Sequence, residues 1–457
     1  MKLISLKKLF FLTCLLLGSK AYAVPFTPPR PEIRTLTNGL KLYLLTDHEL
    51  PTFEASLIIP AGRLYDPPGK EGVALLTAAG LQSGGTLSRT PEKVEEELDF
   101  VGASLTIETQ HEYQAITLHC LKKDAEKILK LLFDILSKPR FDKDRFTLAV
   151  SKVEEALRRQ DEDPLERALR EFPRLVFGPE SPWASKPTHP SIKKIKQKDI
   201  LNFYQQTFSP EGSSLAVSGD FDASEMSDLL EKTSKVWGAK KKQLPVVKPI
   251  TVEFSPRTVL LPASVTQSTI IIGHLGDRRD NPDKFPLIVM NYILGGSGAL
   301  TSRLGEEIRS HLGKAYLVWS DFGFGKDHGL FRTIAQTEVS NTAQVMEKIE
   351  EAITKMHRES DLTTEELERA KRSIVTALIF QYETRFQIVK QRALFDFLGY
   401  PPDYLEVYKR EIEKITREDI QRVAGQYLHP DGLKILIVGP KEKLVPELKK
   451  VEVKESL

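Results

Sequence analysis

The sequence predicts an α+β fold of two homologous halves, each with an antiparallel sheet and helices, that face each other like the shells of a clam about a pseudo-twofold axis. Three observations predict this fold: an internal repeat, the order of strand and helix patterns in each half, and a segment rich in lysine and proline between the halves. A cleft between such halves would be the natural ligand site.

The repeat is clearest at the end of each half. Each copy has a helical pattern, a Pro-x-Gly turn and an apolar strand closed by glycine. Five positions recur at a constant offset of 220 residues: Asp199 and Asp419, Ile200 and Ile420, Pro210 and Pro430, Gly212 and Gly432, Gly219 and Gly439. This constant offset indicates gene duplication.

Strand patterns come before most of the helix patterns in each half, which indicates an α+β arrangement. The predicted strands are 41–45, 53–59, 103–109 and 113–121 in the first half, and 259–261, 268–274, 314–322 and 329–336 in the second. The predicted helices are 122–137 and 141–159, and then 346–358 and 364–381.

The N-terminus has the three parts of a secretory signal peptide. A basic segment precedes the apolar residues 9–17, and Ala21 and Ala23 supply the small residues of a cleavage site. Cys14 lies inside the apolar segment, whereas the cysteine of a lipid anchor would lie at its end. We therefore expect cleavage after Ala23 and a periplasmic or secreted protein without a membrane anchor.

Removing the signal peptide changes the composition of the chain. The mature chain would have 434 residues and a formal net charge of −2 instead of +2, because four lysines are lost. A nearly neutral protein has no general attraction for nucleic acid. Cys120 would be the one remaining cysteine, which excludes an internal disulfide.

The predicted organisation has four parts. They are a signal peptide (1–23), an N-terminal domain (24–238), a linker (239–252) and a C-terminal domain (253–457). The run Lys240-Lys241-Lys242 and the prolines near it are typical of a solvated linker.

The second half contains a motif with specific spacing. It runs from Ile293-Leu294-Gly295-Gly296 through Leu300-Thr301-Ser302-Arg303-Leu304 to Arg309 and Tyr316. It resembles the C-terminal-half signature of the pitrilysin/insulinase family of zinc peptidases, in which an acidic helix ends in arginine and tyrosine follows seven residues later. The resemblance extends over nearly the whole mature chain and implies that Arg309 and Tyr316 bind substrate.

The family's catalytic motif, Gly-x-Ala-His-x-x-Glu-His, is degenerate at its expected place. Two helical histidines at i and i+4 bind zinc in that motif, and the glutamate is the general base. Here Leu75 and Ala79 stand at the histidine positions, and Ala78 stands at the position of the base. The downstream helix has Glu154 and Glu155 near the place of the third ligand. One carboxylate without two imidazoles does not make a zinc site, so we expect these glutamates to be ordinary helix-surface charges. We therefore expect no metal or other cofactor in this chain.

The remaining residues offer no other catalytic centre. The nine histidines include no i, i+4 pair, and His111 and His119 on one predicted strand face lack a third ligand. Gly295-Gly296-Ser297-Gly298 lacks the lysine of a phosphate loop, and no Gly-x-Ser-x-Gly nucleophile motif occurs.

The resemblance implies a split active site in a heteromeric peptidase. A zinc-bearing sibling subunit would supply metal, base and water, and this chain would bind the peptide through Arg309 and Tyr316 and be inactive alone. A structural scaffold, as in the core subunits of the mitochondrial cytochrome bc complex, and a stand-alone peptide-binding protein are the alternatives. In a purely structural role, Arg309 would pair with Glu306 and Tyr316 would lie in the core.

Overall fold

A computed structural model describes residues 28–238, 244–358, 361–448 and 450–457. The predicted signal peptide 1–23 and residues 239–243 of the predicted linker lie outside the described residues. No helix in the described part of the chain has the length and apolar composition needed to cross a bilayer.

Each half is built on a six-stranded sheet. The first sheet contains β1 (Glu32–Thr35), β2 (Lys41–Thr46), β3 (Thr52–Ile59), β4 (Ser104–Thr109), β5 (Gln114–Leu121) and β6 (Ser214–Gly219). The second half adds β7 (Arg257–Pro262), β8 (Gln267–Leu275), β9 (Asp277–Arg278), β10 (Ala315–Phe322), β11 (Phe324–Gly325), β12 (Leu330–Glu338), β13 (Lys434–Gly439) and β14 (Glu452–Val453). Of these, β9 and β11 form a separate pair.

Five strands of each sheet share one topology, which confirms the prediction of an α+β fold in two similar halves. The sixth strand differs, because β1 is antiparallel to β2 whereas β14 is parallel to β7. The strand order is β1-β2-β6-β3-β5-β4 in the first sheet and β14-β7-β13-β8-β12-β10 in the second. In each sheet the last long strand of the half is parallel to one neighbour, β6 to β2 and β13 to β7. From that strand to the far edge of the sheet, the three remaining pairs are antiparallel.

Most helices of each half follow β5 or β12 and precede β6 or β13, in agreement with the predicted α+β order. The first half contains α1 (Val73–Ser83), α2 (Pro91–Phe100), α3 (Ala125–Ser137), α4 (Lys143–Arg159), α5 (Pro164–Phe177), α6 (His189–Lys194), α7 (Gln197–Thr207) and α8 (Ala223–Ser234). The second half contains α9 (Lys284–Leu294), α10 (Thr342–Arg358), α11 (Thr364–Phe380), α12 (Arg385–Phe397), α13 (Tyr404–Lys414), α14 (Arg417–Tyr427) and α15 (Lys441–Leu444). The bounds of α7 and α14, and of β6 and β13, differ by 220 residues throughout.

Both faces of each sheet are covered. Every residue of β6 and of β13 is buried, as expected for strands with continuous apolar sequences. In β2, Leu42 and Leu44 join the main core of the first half, whereas Tyr43 and Leu45 belong to a separate cluster on the opposite face. This alternation follows from the two-residue period of a strand.

The second face of each sheet is covered by a helix of the other half. Residues of α12 pack on Tyr43, Leu45 and Ala216 of the first sheet, and residues of α5 pack on β7, β8 and β13 of the second. Polar contacts also join the two halves. Lys41 Nζ lies 2.6 Å from Asp396 Oδ2, and Arg167 Nη1 donates to the carbonyl of Pro262 at 2.8 Å. The two halves are therefore packed together through reciprocal helices.

Candidate functional site

The helix that carries the degenerate motif begins at a constrained glycine. Gly72 has φ +111°, and a Cβ there would lie 2.6 Å from Ile192 Cδ1. The Asp66 carboxylate accepts hydrogen bonds from the N–H groups of Gly72 and Ala74, both at 2.7 Å. Burial raises the pKa of Asp66 to about 7, against the lowering effect of these two bonds. Gly72 and Asp66 together fix where α1 starts.

The three substituted motif positions lie together at one cavity. Leu75, Ala78 and Ala79 of α1 line a cavity of about 330 Å³, which is also lined by Ile107 of β4 and by residues of α4. Ala78 is buried, and 36 % of Leu75 is exposed. These aliphatic side chains present hydrocarbon to the cavity and supply no metal ligand.

The wall contributed by α4 does not suit zinc either. It contains the cations Arg145 and Lys152 and the apolar residues Leu148, Ala149 and Val153. Arg145 Nη2 donates to Glu92 and Glu95 at 3.2 and 3.1 Å. Within the described ranges, no three His, Cys, Asp or Glu side chains are grouped so that they could hold a metal ion. The residues at this position do not fit zinc.

The suggested third-ligand glutamates are not part of the cavity lining. Glu155 accepts hydrogen bonds from Arg158 and Arg159 at 3.2 and 2.8 Å on the exposed side of α4, and Glu154 does not line the cavity either. His111 and His119 do not share a strand face, contrary to the sequence interpretation. Since β5 begins at Gln114, His111 lies in the preceding turn, where it accepts a hydrogen bond from Arg63 Nε at 3.3 Å. Burial lowers its pKa to about 4.

Arg309 lies on a π-helical turn, Gly305–His311, rather than at the end of a regular helix. The Leu312 N–H donates to the carbonyl of Glu307 at 3.1 Å, the i to i−5 bond that defines such a turn. Gly305 is needed at its start, because a Cβ there would lie 2.3 Å from the Ala299 carbonyl. The wider turn leaves Arg309 exposed.

Arg309 has no ion-pair partner within the described part of the chain, and Glu306 is exposed beside it. The expected structural pairing with Glu306 is therefore not formed. The nearby Arg303, in contrast, forms ion pairs with Asp361 at 2.8 Å and with Glu366 at 3.0 Å. These contacts tie the turn to α11 and leave the guanidinium of Arg309 available.

Tyr316 lies at a β-bulge on the edge strand of the second sheet. The register between β10 and β12 shifts between Ala315 and Leu317, so that Tyr316 is the unpaired extra residue. Its side chain is 80 % exposed, so it is not the core residue of the structural alternative. Bulges of this kind re-aim a side chain away from the regular alternation of the strand.

Lys314 joins the π-helical turn, the bulge and α10. Its N–H donates to the Ile308 carbonyl at 3.1 Å, and Thr337 Oγ1 donates to its carbonyl. Its Nζ donates to Asn341 at 3.0 Å and to Gln344 at 2.5 Å. The short segment between Arg309 and Tyr316 is thus held at both backbone and side chain.

The predicted residues therefore form two separate groups. Leu75, Ala78 and Ala79 share one cavity of the first half, and Arg309 and Tyr316 lie on adjacent elements of the second. Among the described residues, no hydrogen bond or ion pair joins Arg309 to Tyr316 or either to the first group. Sequence reasoning missed Arg145 and Lys152, although their positions, with Leu148 between them, follow the period of one helical face.

Two family sequence patterns match the chain, one in each half. "Insulinase (Peptidase family M16)" matches residues 43–174, and "Peptidase M16 inactive domain" matches residues 194–374. The first range contains Leu75, Ala78 and Ala79, and the second contains Arg309 and Tyr316.

Similar proteins match nearly the whole chain. An uncharacterized zinc protease of Rickettsia bellii is 24% identical over 423 residues, 90% of this chain and 97% of the relative. The uncharacterized zinc protease YmxG of Bacillus subtilis is 22% identical over 404 residues, 88% of this chain and 97% of the relative.

Two solved structures share the fold. The crystal structure described as a peptidase M16 inactive domain from Pseudomonas fluorescens has a TM-score of 0.82 at 24% identity, over 90% of this chain and 98% of that one. A protease from Helicobacter pylori has a TM-score of 0.81 at 19% identity, over 91% and 100% of the two chains.

Proposed function

The chain belongs to the insulinase family of peptidases, M16, and from this membership we propose that it is the non-catalytic subunit of a heteromeric zinc metalloendopeptidase. One contrast carries the proposal. The metal-binding positions of the family are aliphatic here, whereas the side chains of Arg309 and Tyr316 are exposed and have no ion-pair or hydrogen-bond partner in the described residues. The chain has lost the residues for activating water and keeps two residues for binding a peptide.

The two side chains suit substrate binding and oxyanion stabilisation. A guanidinium donates several hydrogen bonds in a planar fork to peptide carbonyls, and it stays protonated at any physiological pH. A phenol at fixed distance donates one hydrogen bond to the oxygen on which negative charge develops during attack on a carbonyl. In a complex, both groups would act on a peptide bond placed at a sibling subunit that holds zinc, base and water.

The backbone around the pair supports a positioning role. Arg309 is on a π-helical turn and Tyr316 is at a β-bulge, and both irregularities occur often at functional sites. Lys314 fixes the segment between them. A scaffold subunit would have no need of two exposed groups held in this way.

We also propose that residues 1–23 are a cleaved signal peptide and that the complex works in the periplasm or outside the cell, because these residues have the three parts of a secretory signal. The expected N-terminus of the exported chain is Val24. Edman sequencing or mass spectrometry that finds Met1 in envelope protein would contradict cleavage after Ala23.

Co-purification with a zinc-bearing sibling tests the proposal. The sibling is recognised by a His-x-x-Glu-His sequence, ideally in a neighbouring gene. We expect one heteromeric peak in size-exclusion chromatography, no peptide turnover by this chain alone, and much faster turnover by the complex than by the sibling alone. A sibling variant with its motif glutamate changed to glutamine controls for contaminating peptidase.

Two results would overturn the proposal. Turnover by this chain alone would show a catalytic site of its own. A complex that forms but cleaves peptides no faster than the sibling alone would favour the scaffold function.

A further inference from the structure

The cavity at the degenerate motif has the character of a side-chain binding site. Its volume of about 330 Å³ exceeds the roughly 150 Å³ in which an apolar cavity holds a benzene ring. Leu75 and Leu148 on opposite helices remain 36 % and 46 % exposed at this cavity. Covering their apolar surface with another apolar group would be favourable.

The wall of the cavity is held in place by hydrogen bonds outside the apolar surface. Gln82 Oε1 accepts the N–H of Ile107 at 2.9 Å, which ties β4 to α1. Arg145 spans from α4 to α2 through Glu92 and Glu95. The cavity is therefore largely pre-formed, as is usual for ligand sites.

One charge in the lining is not compensated. Arg145 is paired with two carboxylates, whereas Lys152 has no ion-pair partner among the described residues. A ligand that places an apolar side chain against Leu75 and Leu148 and a carboxylate near Lys152 would complement both features.

We propose that this cavity binds an apolar peptide side chain with an adjacent carboxylate, so that the former metal position serves as a specificity pocket. The choice of a peptide as ligand rests on the proposed function. The carboxylate has two possible sources, an acidic side chain next to the apolar residue or the C-terminus of the peptide. Both present the same chemistry to Lys152.

Fluorescence anisotropy of the mature chain alone, without a sibling subunit, tests the pocket. The probe is a fluorescein-labelled serine–glycine heptapeptide with a central phenylalanine followed by glutamate and an amidated C-terminus. Three other probes replace phenylalanine by serine, replace glutamate by glutamine, or end in phenylalanine with a free carboxylate.

We expect the serine probe to bind about 10- to 100-fold more weakly, the range for exposing one large apolar side chain. The glutamine probe should lose roughly 2- to 5-fold, as for one exposed ion pair. If the probe with a free C-terminal carboxylate binds at least as well as the parent, the C-terminus is the preferred source; weaker binding assigns the carboxylate to a side chain.

Two protein variants locate the binding. Leu148→Glu, at an exposed helix position that tolerates polarity, should reduce binding of the parent probe by at least about 10-fold. Lys152→Gln should remove the difference between the glutamate and glutamine probes. Lys143→Gln is the matched control, because Lys143 is an exposed lysine of the same helix that does not line the cavity.

The proposal is overturned if no probe binds at millimolar protein, if the serine and phenylalanine probes bind equally, or if Leu148→Glu binds like wild type while circular dichroism shows it folded. These results leave the proposed function intact if turnover by the complex still depends on Tyr316. Conversely, pocket binding without an active complex would keep the pocket and refute the subunit function.

Discussion

Leu75 and Ala79 present hydrocarbon at the positions where imidazoles would bind zinc, and Ala78 removes the base between them. Since α4 adds Arg145 and Lys152, a cation would also meet like charges there. We therefore predict that purified mature protein, dialysed against a mild chelator, contains far less than one zinc per chain by elemental analysis. Zinc near one equivalent per chain would show that another ligand set exists.

Lys284 is 6 % exposed, and its Nζ has no hydrogen-bond partner among the residues that the structure describes. It lies 3.4 Å from the ring centre of Tyr400 and 4.6 Å from that of Tyr404. Burial, and then the nearby Arg279, lower the pKa of Lys284 to about 7. The rings favour the ammonium and oppose part of this shift.

The sign of the resulting pH dependence follows from proton binding. In the unfolded chain a lysine keeps its proton up to about pH 10.4, whereas folded Lys284 loses it near pH 7. Between these values the unfolded state binds more protons, so the free energy of unfolding rises with pH, by up to about 1.4 kcal/mol per unit. Urea midpoints from pH 6.5 to 9 should rise more steeply for wild type than for Lys284→Met; parallel profiles would contradict the shift.

The sequence predicted which residues belong to the site where a motif has fixed spacing. It did not do so where tertiary packing determines which side chains meet. The positions of Leu75, Ala78 and Ala79 follow from the motif alone, and the structure places them at one cavity. Lys152 is 45 residues from Ile107 of β4 in sequence and further still from α1, so only the packing of α4 on α1 reveals its position. The aromatic surroundings of Lys284 depend in the same way on long-range packing.

At the scale of elements, the two halves make contact through α5 and α12, each of which packs on the sheet of the other half. Phe172 of α5 is fully buried in the cluster that covers the second sheet. Phe172→Ala should therefore reduce the free energy of unfolding by roughly 3–5 kcal/mol. The matched control is Phe100→Ala, since Phe100 is 85 % exposed and a change there should stay within about 0.5 kcal/mol.

Urea denaturation followed by circular dichroism measures both variants. Equal effects of the two substitutions would mean that the contact between α5 and the second sheet adds little stability. A loss in Phe172→Ala confined to one of two separate transitions would show that the halves unfold independently.

Sequence periodicity did not predict α5 or α12. The strands and helices that it did predict lie within a few residues of the observed ones, because alternating and helical patterns record which face is buried. It predicted a helix that ends at Arg309 and a regular strand after it, whereas the structure has a π-helical turn and a bulge. Both irregularities insert a residue without changing the apolar pattern around it. They depend on single contacts, such as the approach of Gly305 to the Ala299 carbonyl, that periodicity does not record.

For the whole molecule, the reciprocal packing predicts that neither half folds alone. Without α12, the first sheet would expose Tyr43, Leu45, Ile58 and Ala216 to water. We expect the fragment 24–238 to aggregate or to lack a cooperative unfolding transition, and co-expression with 253–457 to restore a folded pair. A monomeric, cooperatively folding fragment 24–238 would contradict this dependence. The domain boundaries stay predictions until such fragments are made.

The duplication was visible in sequence, but the exchange of helices was not. Constant offsets such as that of Pro210 and Pro430 report equivalent positions in two copies. They do not report which copy a helix packs against, because the apolar pattern in the sequences of α5 and α12 would be the same whichever sheet each helix covered.

We propose that this chain contributes Arg309 and Tyr316 to an active site completed by a sibling. The most direct test is peptide turnover by the reconstituted complex with Tyr316→Phe, Arg309→Ala or Arg309→Lys in this chain only, and size-exclusion chromatography confirming assembly. Loss of one positioned oxyanion donor typically lowers turnover on the order of 100- to 1000-fold, and we expect a decrease of that order for Tyr316→Phe. Arg309→Ala should also lower turnover sharply, and Arg309→Lys should not restore it, because an ammonium lacks the planar fork. Wild-type turnover in assembled complexes of Tyr316→Phe and Arg309→Ala would contradict the claim.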